Sequence, residues 1–225
     1  VNAGTAVITY TVSSCTGNAS SSKTITGSNI NLYNLTTTGT ITTSSNISIG
    51  GNLVVNGVSF TALAGIIHFT GSNKTISGTG SIGLFGVTIY GSVTTSNSFS
   101  IASNFNIIGS FSALAGTITF TNTSSLSGRA NLYNVAVNGT SFVLSTDAEL
   151  DIQNVFTITS GFFDATSNIP NKVVYNGLAA QTITSTSYYI LETATAGTKT
   201  ANGALTITGD LVIGALTTFN ASSFA

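Results

Sequence analysis

The chain has 225 residues, of which 42% are hydrophobic and only 5% charged, where an ordinary soluble domain is about a quarter charged. Five Lys+Arg against six Asp+Glu give a net charge of -1, which leaves no basic surface to neutralise phosphates and excludes nucleic acid as a partner. No apolar run reaches the roughly 18 residues of a membrane-spanning helix, so membrane insertion is not expected, and 9% aromatics exclude an intrinsically disordered chain.

The 24 Gly, the abundant Ser, Thr and Asn, and the single Pro sit among β-branched and aromatic residues, a mixture that helices avoid and strands use. The reading is all-β. The chain opens at Val1 without an initiator Met, as expected of a mature or excised piece of something longer. Residues 1–22 are predicted as an extended linking strand. Within them Ile8-Thr9-Tyr10-Thr11 matches Ile118-Thr119-Phe120-Thr121 further on, and Cys15, the one cysteine, reads as a polar-loop thiol without an internal disulfide partner.

From residue 23 the sequence repeats. Pairs of apolar-x-apolar triplets occur at Ile47/Ile49 with Leu53/Val55, Phe99/Ile101 with Phe105/Ile107, Leu150/Ile152 with Phe156/Ile158, and Leu205/Ile207 with Leu211/Ile213. Their first residues lie 52, 51 and 55 apart. Lys23-Thr24-Ile25 returns as Lys74-Thr75-Ile76, Leu63-Ala64-Gly65 as Leu114-Ala115-Gly116, and an aromatic follows each pair at Phe60, Phe111, Phe163 and Phe219. Four degenerate copies of about fifty residues are thus predicted over 23–73, 74–123, 124–178 and 179–225.

Within a copy the apolar period is two, as in Ile47-Ser48-Ile49, which sends alternate side chains to opposite faces of a strand. Short strands broken by Gly50-Gly51-Asn52 or Gly209-Asp210, with no helical crossover between them, predict a parallel β-solenoid (β-helix). At roughly 20 residues a rung, about ten rungs at ~4.8 Å give a rod near ~50 Å long. Like residues are expected to stack on like, which explains the scarcity of charge: a stacked charge meets its own sign, whereas stacked Thr, Ser and Asn can hydrogen-bond.

Asn31-Leu-Tyr-Asn-Leu-Thr36, Ile49-Gly-Gly-Asn-Leu-Val-Val-Asn-Gly57, Val174-Tyr-Asn-Gly177 with Gln181-Thr-Ile183, and Leu205-Thr-Ile-Thr-Gly-Asp-Leu-Val-Ile213 carry a resemblance. The sequence resembles the strand-repeat regions of very large bacterial surface and secreted adhesins, notably those of Bacteroidota, over about residues 23–225. Val1 to Val12 is similar to the last strand of a bacterial immunoglobulin-like module. The resemblance implies a non-enzymatic, extracellular or cell-surface rod, with glycan or surface binding by a Ser/Thr/Asn-rich face as the alternative.

Assembly is expected to run head to tail, with another copy or with flanking repeats of a longer chain, because uncapped solenoid ends expose backbone groups and an apolar cross-section. Ile8, Tyr10 and Val12 at one end and Phe219 and Phe224 at the other are the candidate assembly residues, and deleting residues 1–17 is expected to abolish end-to-end association. No cofactor is expected. The one metal candidate is calcium at Asp147, Glu149 and Asp151, three carboxylates alternating with apolar residues and so expected to project from one strand face. His68 lies between Ile67 and Phe69, which turns it outward with no local partner carboxylate for general base chemistry. Arg129 is the sole arginine, too little for the Asp/Arg/Lys cluster of a pectin-cleaving solenoid. Threonine rows at Thr117/Thr119/Thr121 and Thr182/Thr184/Thr186 read as exposed strand faces. Tyr188 is expected outside and Tyr189 inside.

Overall fold

Alternation puts one edge of every short strand in the core, and the chain satisfies all of them by winding round a single apolar axis. The computed structural model describes residues 10–12, 22–28 and 30–222. Among these there is no helix; every ladder is parallel, and the chain forms a β-solenoid of about 10 turns. One turn takes between 17 residues, from Ile30 to its partner Ile47, and 25, from Tyr10 to Leu35. Each turn has three strands, so the coil has three faces.

Face A stacks Tyr10–Val12, Leu35–Thr37, Leu53–Val55, Lys74–Gly78, Ser92–Thr95 and Ser110–Ala113, and ends with Lys172–Tyr175, Ile190–Thr193 and Leu211–Ile213. Face B contains Lys23–Ile25, Thr40–Thr43, Ser59–Ala62, Ser81–Leu84, Phe99–Ile101 and Thr117–Phe120. Face C contains Ile30–Leu32, Ile47–Ile49, Ile66–Phe69, Gly86–Ile89, Asn104–Ile107 and Thr123–Ser127. Two 16-residue strands, Arg129–Leu144 and Glu149–Asp164, then run round all three faces without a break. Beyond them the ladders of faces B and C continue as separate small sheets.

The inward positions form one continuous core. Ile47, Ile49, Leu53, Val55, Phe60, Ile67 and Phe69 are all wholly buried, while Ser48, Val54 and Thr61 between them face out. Burying a side chain of this size is worth roughly 1.5–3 kcal/mol each, which is the main force closing the coil. A column of rings adds to it: Phe120 stacks on Phe142 with centroids 3.6 Å apart, and Phe163 continues the column toward Tyr188.

The fifty-residue copies do not stack on each other as expected. Each of the first three copies contains eight face-strands, with the two long strands counted once on each face they cross, and eight is not a multiple of three, so each following copy begins on a different face. Ile49 is on face C, Ile101 on face B and Ile152 on face A. Their surroundings are nevertheless the same. Ile49 lies between Leu32 and Phe69, Ile101 between Leu84 and Phe120, and Ile152 between Leu132 and Tyr175.

Buried polar groups follow the same rule. Thr43 on face B donates its hydroxyl to Ile25 O and accepts from Ser45 N. Thr95 on face A, one copy later, donates to Ile76 O and accepts from Asn97 N. A sequence repeat here preserves the neighbours of a residue and rotates its direction.

Tyr188 proves to be inside rather than outside. It occupies the position that Leu32, Leu84 and Leu132 hold in the earlier copies, is wholly buried, and lies between Ala165 and Ile207. Its hydroxyl sits 3.1 Å from that of the buried Tyr175 and donates to Thr184 O, while Thr184 N donates to Tyr175. Burial pushes both phenols above their ordinary pKa. Tyr189 takes the corner position of Tyr33 and Tyr133 and is half-buried. Lys199 also points inward and is wholly buried; its ammonium donates to the carbonyls of Gly177 and Ala179, and desolvation lowers its pKa.

Candidate functional site

Parallel stacking brings residues about twenty apart into contact, and this gathers the few charges of the chain. On the outer side of face A, Arg129 pairs in register with Glu149 and Glu149 with Lys172, while Asn131 pairs with Asp151 and Val174 with Glu192. The signs alternate from rung to rung. Arg129 Nε lies 2.7 Å from Asp151 and 3.2 Å from Glu149, and Lys172 Nζ lies 3.3 Å from Glu149 and 3.0 Å from Glu192. A parallel ladder tolerates ionised groups in this order because opposite charges on adjacent rungs attract.

The ladder answers for two of the three residues proposed for calcium. Glu149 and Asp151 do project from one face, but Glu149 is bound by Arg129 and Lys172, and Asp151 by Arg129. Asp147 precedes the strand in a turn at φ 60°, exposed. Among the described residues no three His, Cys, Asp or Glu converge as metal ligands.

Of the three carboxylates of the ladder, Asp151 has the most buried environment. Asp151 is only 1% exposed, and desolvation, only partly offset by the hydrogen bond and charge of Arg129, raises its pKa to about 6. The hydrogen bond to Asp151 in turn raises Arg129. Burial works to lower Lys172, but its bonds to Glu192 and Glu149 prevail and raise it. Asp151 Oδ2 accepts from Arg129, whereas Oδ1 is shielded from solvent and has no hydrogen-bond partner among the described residues.

A pH-dependent stability follows. An acid with a raised pKa binds its proton more tightly folded than unfolded, so its contribution is complete below pH 3.8 and is lost as pH rises through about 6. That difference is worth ~3 kcal/mol. Asp151→Asn is therefore expected to flatten the fall in melting temperature between pH 4 and pH 7 and to leave stability at pH 7 equal or higher. Thermal melts followed by circular dichroism test this; an Asn variant with the wild-type slope and a lower midpoint at pH 7 would refute it.

The other candidates are placed as follows. His68 faces outward between Ser48 and Thr88, near the ring of Tyr90, and desolvation lowers its pKa. In the row Thr182/Thr184/Thr186, Thr184 is buried and bonds to Phe156 O, so the three do not form one exposed lattice. Tyr10 and Val12 belong to a strand that pairs with Leu35 to Thr37 of its own chain at the first rung of face A. Phe219 lies in the last rung, half-buried against the core. Ile8, Cys15 and Phe224 lie outside the described residues.

At that last rung, Leu211–Ile213 and Thr217–Asn220 have a ladder partner on one side. Leu211, Val212, Ile213 and Leu216 are 41%, 42%, 51% and 77% exposed there, although Leu211 and Ile213 correspond to Leu53 and Val55, which are wholly buried. No family model matches the chain, and neither a curated protein nor a solved structure matches it.

Proposed function

We propose that this protein is a non-enzymatic, extracellular structural rod, part of a cell-surface adhesin or of a self-associating filament, extended end to end by stacked β rungs. The observation that carries this reading is the last described rung, where apolar side chains and strand edges with no further ladder partner among the described residues repeat the pattern that earlier rungs bury under the next. Exposed edges of this type are templates for further pairing. The strand Tyr10–Val12 supports the same reading: it lies on face A, as does Leu211–Ile213, so a following unit continues that ladder on the same face. The following unit is either a second copy or the next repeats of a longer chain. The hydroxyl-rich, sparsely charged outer surface fits a secreted setting and removes like-charge repulsion between units.

Concentrated wild-type protein is expected to form fibres visible by negative stain, with sedimentation values that rise with concentration. Leu211→Asp with Ile213→Asp places two carboxylates on the open rung and is expected to leave a monomer with unchanged circular dichroism. A wild-type chain that stays monomeric, or fibres unaffected by the double variant, would overturn self-association through this end.

A further inference from the structure

Successive turns are joined by ladders on all three faces where Arg129–Leu144 meets Glu149–Asp164. The same holds where Lys172–Tyr175, Gln181–Ile183 and Ser187–Tyr188 meet the turn that follows them. The boundary between these two regions is built differently. From Glu149–Asp164 to the next turn the ladder runs on face A alone, Glu149–Ile152 with Lys172–Tyr175. On face C there is a single bridge, Ala165 with Tyr188, and the face B and face C strands beyond it belong to separate sheets. The chain leaves its regular path at both adjoining corners, through 165–171 between faces C and A and 176–180 between faces A and B.

Side chains stand in for the missing ladder. On face B the buried Gln181 donates from Nε2 to Ile152 O and Asn154 O, and the buried Thr184 donates to Phe156 O. On the outer side of face A, Lys172 Nζ lies 3.3 Å from Glu149. The aromatic column passes through, with Phe163 6.3 Å from Tyr188, so the boundary is closed by apolar contact together with these few bonds. The turns beyond it satisfy their own buried polar groups: Tyr175, Tyr188 and the backbone of Thr184 bond to one another, and Lys199 bonds to Gly177 and Ala179.

The stability of a solenoid is a sum of turn stabilities and nearest-neighbour interface terms, and the interface with the fewest ladder bonds separates at the lowest cost. The exposed apolar side chains of the last described rung weaken the turns on the far side further. We propose that the chain divides here into two cooperative units, residues 30–164 and 172–222, and that the rod opens at this boundary as a clasp, with the face A ladder as its hinge and Gln181 and Thr184 as its catch. The far unit comes away as a whole while the near unit stays wound.

Hydrogen exchange of the dilute full chain, followed by mass spectrometry in urea concentrations below the unfolding midpoint, tests this. Residues 172–222 are expected to lose protection together, at lower urea than residues 40–144. Thr184→Val keeps the shape of the side chain and removes the bond to Phe156 O, so it is expected to lower the protection of 172–222 about tenfold and to leave that of 40–144 unchanged. Thr95→Val makes the same deletion, of a bond to Ile76 O, at a boundary with ladders on all three faces, and is expected to create no division there. Loss of all protection in one step, loss that creeps inward turn by turn from residue 222, or an equal effect of Thr184→Val on both blocks would each overturn the clasp. None of these outcomes bears on fibre formation, which the last-rung variant reads separately.

Discussion

Phe142→Ala is expected to cost about 4 kcal/mol of stability, the largest effect of any single truncation in the core. Phe142 is wholly buried, its ring lies at 10° to that of Phe120 with centroids 3.6 Å apart, and Phe163 packs on it from the next turn. Deleting a buried Phe removes its transfer free energy and leaves a cavity, for a loss of ~3–5 kcal/mol. Collapse of the walls is restricted here, because each neighbouring residue is fixed by ladder bonds to two rungs. A solenoid has only nearest-neighbour contacts along its axis, so a weakened rung also uncouples the turns on either side. Urea denaturation followed by circular dichroism is expected to show an earlier and broader transition; a loss below 1 kcal/mol would overturn the central place given to the aromatic column.

A comparable loss, about 3 kcal/mol, is expected from Gly109→Ala, a change that adds one methyl group. At the corner between faces C and A, Gly71, Gly91 and Gly109 follow one another on successive turns. A Cβ at Gly109 would run into the carbonyl oxygen of Gly91, and one at Gly91 into that of Gly71. The obstacle is backbone, which cannot swing aside as a side chain can, so the rungs must part and their ladder bonds stretch. Gly39 supplies the control: a Cβ there meets nothing within 4 Å, so Gly39→Ala is expected to be neutral or to stabilise by ~0.4–1 kcal/mol through the unfolded chain. Equal midpoints for the two alanine variants would refute the argument.

The solenoid was readable because the two signals it needs are local: the period of two in triplets such as Ile47-Ser48-Ile49, and breaks such as Gly50-Gly51-Asn52. The direction in which each copy faces was not. It depends on the number of strands per copy, and residues 129–144 and 149–164 turn their corners without Gly or Pro to mark all of them. The acidic cluster was misleading for a related reason. Its neighbours in sequence are apolar, whereas its neighbours in space, Arg129 and Lys172, lie one turn away on either side. Opposite charges spaced by one turn, 129 to 149, 149 to 172 and 172 to 192, were the signal available. Tyr188 was misplaced because Tyr189 was taken as the inward residue of the pair; aligning Tyr188 with Leu32, Leu84 and Leu132 turns it inward instead. Gln181 and Thr184 carried no sequence signal as a catch, since the ladder they stand in for is missing only once the turns are stacked.

The change of face from one copy to the next has a consequence for how such a rod changes by duplication or loss of a unit. Adding or removing a single copy moves every feature beyond it by a third of a revolution, so a patch that pointed north now points to another bearing. Only steps of three copies, which contain twenty-four strands and eight whole turns, restore the original heading. Copy number in a molecule of this design therefore sets azimuth as well as reach.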